Sequence, residues 1–189
     1  YYSLAPENPF PAALDDIFKV AKQLWSTSDN PPLLMGESAG ATLAISLTHL
    51  LKKHGLVMPA RMGLLSPASD LYNQGDSFSF NQNRDPILTL ENVTAVSSIY
   101  AGNAKLDDPL LSPIYGSFDK TYPKTLMTSG TQDLLLSSCI RLAKIMREAE
   151  VDVELRVWEG MWHVFEYYQE IPESTQSLKE ISSFFEESF

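Results

Sequence analysis

The chain has 189 residues, 44% of them hydrophobic and 20% charged, with nine glycines and twelve prolines. This is about one domain with a real buried core, and the composition excludes collagen-like, disordered and coiled-coil chains. The single cysteine, Cys139, excludes an internal disulfide and a cysteine-based zinc cluster, and the formal charge of −10 argues against a nucleic-acid surface.

The charge is unevenly placed. From Glu148 to Phe189 stand eleven acids and two bases, so −9 of the −10 falls there. That pattern reads as a solvated acidic face on the last strand and helix. No apolar run approaches the roughly 20 residues of a membrane span. No basic segment followed by an apolar one is visible at the start, so no signal peptide is expected and the cytoplasm is the expected location.

In chain order, Leu14, Ile17, Phe18, Ala21, Leu24 and Trp25 follow helical spacing after Pro9 and Pro11. Residues 32–36 read as a short buried strand. A second helix spans Ala39 to His54, with Leu43, Leu47, Leu50 and Leu51 on its apolar face. Lys52 and Lys53 suit its C-terminal dipole, and Gly55 stops it. Residues 62–65 form another strand, ended by Pro67. Residues 68–122 lose regularity, and so long a segment between strands suggests a functional insertion. A strand at 125–128, a helix from about Ser138, a strand at 153–157 and a helix around Leu178–Phe185 complete the series. The alternation predicts an α/β fold, with a mostly parallel sheet and helices on both faces, in one catalytic domain over 1–189. The insertion at about 68–122 is expected to wall a pocket, with Phe78 and Phe80 among its lining aromatics.

Gly36-Glu37-Ser38-Ala39-Gly40 matches G-x-S-x-G where a strand ends and a helix begins, the setting of a nucleophile elbow. Both glycines are expected to answer a steric need, and a strained turn would push the Ser38 hydroxyl above the sheet edge. A serine nucleophile needs a base, and three histidines are available. His49 and His54 lie on the helix that Ser38 opens and read as surface residues near its end. His163 follows the last strand, at the edge where sites assemble in open α/β sheets. Asp133 follows the preceding strand in the same way and supplies the acid that would orient His163. Asp70 reads instead as a turn or cap residue, and Glu37 as pointing away from the histidine. The order Ser38, Asp133, His163 is that of α/β-hydrolases.

The chain resembles the hormone-sensitive-lipase-like α/β-hydrolases, the bacterial family IV esterases. The likeness rests on residues 2–7 and 9–14, Gly36 to Gly40, Asp108-Pro109-Leu110-Leu111-Ser112-Pro113, Asp133-Leu134-Leu135 and residues 159–165. It implies Ser38 as nucleophile, His163 as general base, Asp133 as orienting acid and the Ala39 N–H as an oxyanion donor. It also implies short-chain esters as small-molecule substrates, no cofactor or metal, and a homodimer through the last strand and helix, a point the acidic tail leaves open. The family usually has Asp at Glu37, Gly at Ala41, a smaller residue at Trp162 and an acid near Ser137. Its His-Gly-Gly loop, which supplies most oxyanion donors, has no counterpart, since the sequence contains no Gly-Gly pair. By resemblance the fold is therefore expected to be incomplete on its N-terminal side. The chain would then be the C-terminal portion of a larger hydrolase, with an unpaired strand edge beside Ser38 and poor activity alone.

The dinucleotide motif G-x-G-x-x-G, the P-loop and H-E-x-x-H are all absent. The remaining alternatives are a non-catalytic ligand-binding protein on the same fold, typically without the triad histidine, and an inactive truncated homologue.

Overall fold

A computed structural model of the chain describes residues 1–26 and 30–187. Its elements are α1 (Ala12–Ser26), β1 (Leu33–Glu37), α2 (Ala39–Lys53), β2 (Arg61–Leu65), α3 (Ser77–Phe80), α4 (Leu90–Ala101), β3 (Lys124–Gly130), α5 (Leu136–Glu148), β4 (Val153–Trp158) and α6 (Pro172–Glu186). The four strands form one parallel sheet in the order β1-β2-β3-β4. Leu34 pairs with Met62, Met62 with Thr125 and Thr125 with Val153, so the register carries all four carboxyl ends to one edge.

Alternation along the strands decides which helices cover which face. Met62, Leu64 and Met127 point to the face covered by Ala41, Ala44 and Ile45 of α2 and by Cys139, Leu142 and Met146 of α5. Leu65 and Leu126 point the other way, against Ile181 and Phe184 of α6. Gly63 shares that second face, where a Cβ would come within 2.9 Å of the Phe185 ring. A separate apolar cluster joins Ala13, Leu14 and Ala21 of α1 to Leu43, Leu47, Leu50 and Leu51 of α2. Helices on both faces of a parallel sheet are thus present, as the alternation predicts.

Helix ends follow their sequence signals. Gly55 at φ 62° takes the left-handed conformation that closes α2. Pro172 opens α6 at a position where its missing N–H costs nothing.

Residues 68–122 hold more structure than the sequence reading expects. They contain α3, α4 and a 3-10 turn at Pro113–Tyr115. The side chain of Thr89 accepts a bond of 3.2 Å from the Asn92 N–H and caps α4. Helix α4 is hard to see in the sequence because Val96 and Ile99 are exposed while Ser97 and Ala101 are the buried pair. Asp70 forms a turn with the Tyr72 N–H at 3.0 Å, as expected of it. It is also fully buried and ion-paired with Arg141, which ties the start of this segment to α5.

Candidate active site

Ser38 sits between β1 and α2 at φ 49° and ψ −117°, a conformation uncommon for any residue with a Cβ. Bonds on both sides hold it there. The Ser38 N–H donates to the Leu65 carbonyl at 2.8 Å, and the Thr42 N–H donates to the Ser38 carbonyl at 3.1 Å. The two motif glycines differ. A Cβ on Gly36 would lie 2.4 Å from the Gly40 carbonyl oxygen, so this position needs glycine. A Cβ on Gly40 meets nothing within 4 Å, which corrects the expectation of equal steric demand. Ala39 opens α2, where backbone N–H groups have no intrahelical acceptor.

Asp133 lies in the turn after β3 and is fully buried. Its Oδ1 accepts from the Leu135 N–H at 2.9 Å and faces His163 Nδ1 at 3.2 Å. Its Oδ2 accepts from the Ser129 hydroxyl at 2.7 Å. Burial alone would raise its pKa, but the bonds with His163 and the other donors outweigh it and hold the carboxyl below its ordinary value. Asp133 is therefore an anion at neutral pH.

His163 follows β4 in a loop laced to the Asp133 turn. The Gln132 N–H donates to the Met161 carbonyl at 2.8 Å, and the Gly160 N–H donates to the Thr131 hydroxyl at 2.8 Å. Close packing makes Gly130 obligatory, since a Cβ there would stand 2.0 Å from the Met161 carbonyl oxygen. Val164, at φ 47°, donates its N–H to the Ser66 hydroxyl at 3.2 Å. The outcome is that His163 Nε2 lies 2.9 Å from the Ser38 hydroxyl while its Nδ1 faces Asp133. The ring can therefore take a proton from Ser38 on one side while Asp133 fixes its tautomer on the other.

Ser38 and Ala39 open onto a largely apolar cavity of about 470 Å³. Residues 2–6 form one wall, Thr42 and Leu43 another, and Leu71, Leu88, Val93, Val96 and Tyr100 of the 68–122 segment a third. The aromatic pair expected there lies elsewhere. Phe78 packs behind that wall against Leu134 and Leu135, and Phe80 is 73% exposed. A wider groove runs between α1 and β1, but the carboxylate in its lining, Asp16, is occupied by the Ser3 N–H and hydroxyl.

The other residues weighed from sequence take varied places. Glu37 accepts from the Tyr167 hydroxyl at 3.2 Å and plays no part in the histidine contact. His54 is exposed at the end of α2. His49 is not a surface residue. It is half-buried, between the Pro113 carbonyl and the Tyr122 hydroxyl, because residues 113–122 fold back over the end of α2. Where the family likeness expects an acid, Ser137 instead accepts from the Ser77 N–H at 2.9 Å. Ser66 escapes sequence reasoning because only the fold brings it near the site, whereas Ser129 and buried Glu166, which accepts from Thr128 and Ser177, stand close to Asp133 and His163 in the chain but in no motif that marks them. Among the described residues no group of three or more His, Cys, Asp or Glu side chains could hold a metal ion, and no helix is long and apolar enough to cross a membrane.

A family model described as the alpha/beta hydrolase fold matches residues 1–167. The chain belongs to that family, and its likenesses place it with the hormone-sensitive-lipase-like members. It is 34% identical over 187 residues to an esterase of Acinetobacter venetianus, an alignment covering 97% of this chain and 61% of that protein. It is 28% identical to an acetyl-hydrolase of Streptomyces hygroscopicus, covering 97% and 62%. Among solved structures, an esterase from the bacterial hormone-sensitive lipase family superposes with a TM-score of 0.95 at 32% identity, over 99% of this chain and 64% of that one. The chain thus spans about three fifths of the length of the curated relatives it matches.

Proposed function

We propose that the protein is a carboxylic ester hydrolase working through a serine nucleophile, with short-chain acyl esters as substrates. The observation that carries this reading is the unbroken line from the Ser38 hydroxyl to His163 Nε2 at 2.9 Å and from His163 Nδ1 to Asp133 at 3.2 Å. The esterase and acetyl-hydrolase relatives support the same reaction class.

His163 takes the Ser38 proton as the serine oxygen attacks the acyl carbonyl carbon. The Ala39 N–H, at the positive end of α2, stabilises the oxyanion that forms. The imidazolium then protonates the departing alcohol oxygen, leaving an acyl-enzyme. Water, deprotonated by the same ring, releases the acid and restores Ser38. Asp133 stays ionised throughout, holding Nδ1–H toward itself and stabilising the charged ring. The apolar cavity suits an acyl chain, and its size suits a short one with its alcohol.

The test is Ser38→Ala made in the intact enzyme and assayed on a short p-nitrophenyl ester. Turnover should fall by about 10⁴-fold or more while the thermal midpoint stays put. Undiminished hydrolysis by the folded variant would overturn the assignment.

A further inference from the structure

We propose that residues 77–85, outside the sheet and outside the Ser38–His163–Asp133 line, form a positioning clamp that aims Asp133 at His163. Ser77, Asn81 and Asp85 are its working side chains, and the proposal rests on the ester-hydrolase reading above.

The clamp begins as a helical geometry. The Asn81 N–H donates to the Ser77 carbonyl at 2.8 Å, and the Asp85 N–H donates to the Asn81 carbonyl at 2.9 Å. That four-residue spacing sets the three side chains on one side of the stretch, facing the turn after β3. All three are buried. Each binds the main chain of that turn. Asn81 Nδ2 donates to the Thr131 carbonyl at 3.1 Å and to the Asp133 carbonyl at 2.8 Å. Asp85 Oδ2 accepts from the Leu134 N–H at 2.8 Å. The Ser77 hydroxyl donates to the Leu134 carbonyl at 2.7 Å and accepts from the Ser137 N–H at 2.9 Å.

The peptide group between Asp133 and Leu134 is thereby gripped at both ends, its carbonyl by Asn81 and its N–H by Asp85. A rotation of that peptide would swing the Asp133 side chain away from His163 Nδ1. Asp85 is itself fixed, since its Oδ1 also accepts from the Ile87 and Leu88 N–H groups at 2.9 and 3.1 Å. Burying a second carboxylate so near Asp133 is costly unless its oxygens are used, and here both accept backbone N–H groups. None of the three clamp residues lines the cavity, so they touch neither substrate nor reacting atoms. They are positioning residues.

Asn81→Asp is the sharpest variant. It presents a carboxylate with no donor to two carbonyl oxygens, so it should release the Asp133 turn without altering the cavity. The kcat on a short p-nitrophenyl ester should fall about 10- to 100-fold with KM changed less than threefold, as expected for lost alignment. The far-downfield NMR signal of the His163 Nδ1 proton should broaden or disappear. Arg84→Ala, within the same segment, should leave both readouts as in the unaltered protein. Where Asn81→Asp unfolds the chain, Asn81→Ser, which keeps one donor, should give an intermediate loss in both. Unaltered kcat and an intact Nδ1 proton signal in either folded variant would overturn the clamp. The NMR readout needs no turnover, so a protein that hydrolyses no ester would sink the proposed reaction while the clamp is still decided by the proton signal.

Discussion

The two ends of the proposed triad stand on unequal ground. Strand β3, which leads to Asp133, is buried from Thr125 through Gly130, with a paired strand on each side. Strand β1, which leads to Ser38, pairs with β2 alone among the described residues, and Leu33 and Met35 are 37% and 48% exposed. Asp133 is fixed by side chains and backbone from four separate segments, whereas the Ser38 backbone is held by the Leu65 carbonyl of β2 and by the helix that follows it. The acid and the base therefore belong to a self-supporting framework, and the nucleophile's geometry depends on local sterics. Breaking each region in turn should give effects of different kinds.

The largest difference should appear in stability. Leu126 of β3 is buried against Ile181 and Phe184 on the α6 face. Leu126→Ala should cost about 2–5 kcal/mol of unfolding free energy, the usual range for a leucine deleted from a core. Met35→Ala on β1 removes a side chain already half in solvent and should stay within about 0.5 kcal/mol. Urea unfolding of the two variants checks this. Equal losses would mean that the β1 side is as tightly covered as the β3 side.

Next comes a pair of glycine substitutions at the elbow. Gly36→Ala forces a Cβ against the Gly40 carbonyl oxygen and the Ala41 nitrogen, backbone atoms that cannot yield without moving Ser38. Its kcat/KM should drop about 100-fold, as for a misplacement of roughly 1 Å. Gly40→Ala enters open space and should retain activity within about threefold. Comparable losses for both would show that the second glycine has a role beyond the space around it.

That contrast also marks how far the sequence could be read. The strand–turn–helix setting of Ser38 and the positions of Asp133 and His163 just past their strands were legible because period and punctuation place them. The G-x-S-x-G pattern could not separate Gly36 from Gly40, since the clash at Gly36 depends on where the first turn of α2 folds back. Phe78 and Phe80 misled because aromatic content says nothing about direction, and the cavity wall is instead built by α4, whose exposed valine and isoleucine blur its period. Ser66 and the clamp residues are invisible because their bonds join segments far apart in sequence, and Ser129, only four residues before Asp133, stands in no motif that would mark it.

A last effect should come from pH, and it acts on the nucleophile's side. His49 sits near the end of α2, the helix that Ser38 opens. Its Nε2–H donates to the Pro113 carbonyl at 3.2 Å, and its Nδ1 accepts from the Tyr122 hydroxyl, an arrangement that requires the neutral ring. The rings of Phe118 and Tyr122 cover it, with centroids 5.0 and 5.5 Å away. Burial pushes its pKa down to about 4; the Pro113 carbonyl works against that, and the positive charge of Lys52 adds to it. In the unfolded chain the ring would titrate near its ordinary value of about 6.5. The folded value is depressed, so this stabilisation is fully present above pH 6.5 and is lost as pH falls toward 4. His49→Gln keeps a donor for Pro113 and removes the titration. Unfolding free energies from pH 7 to 4 should therefore fall less steeply in the variant, by a difference of up to about 3 kcal/mol at the acid end. Carboxylate protonation affects both proteins alike and cancels in that difference. Parallel slopes would mean that the ring is as easily charged in the fold as in the unfolded chain, and that the packing of residues 113–122 over α2 is looser than its contacts indicate.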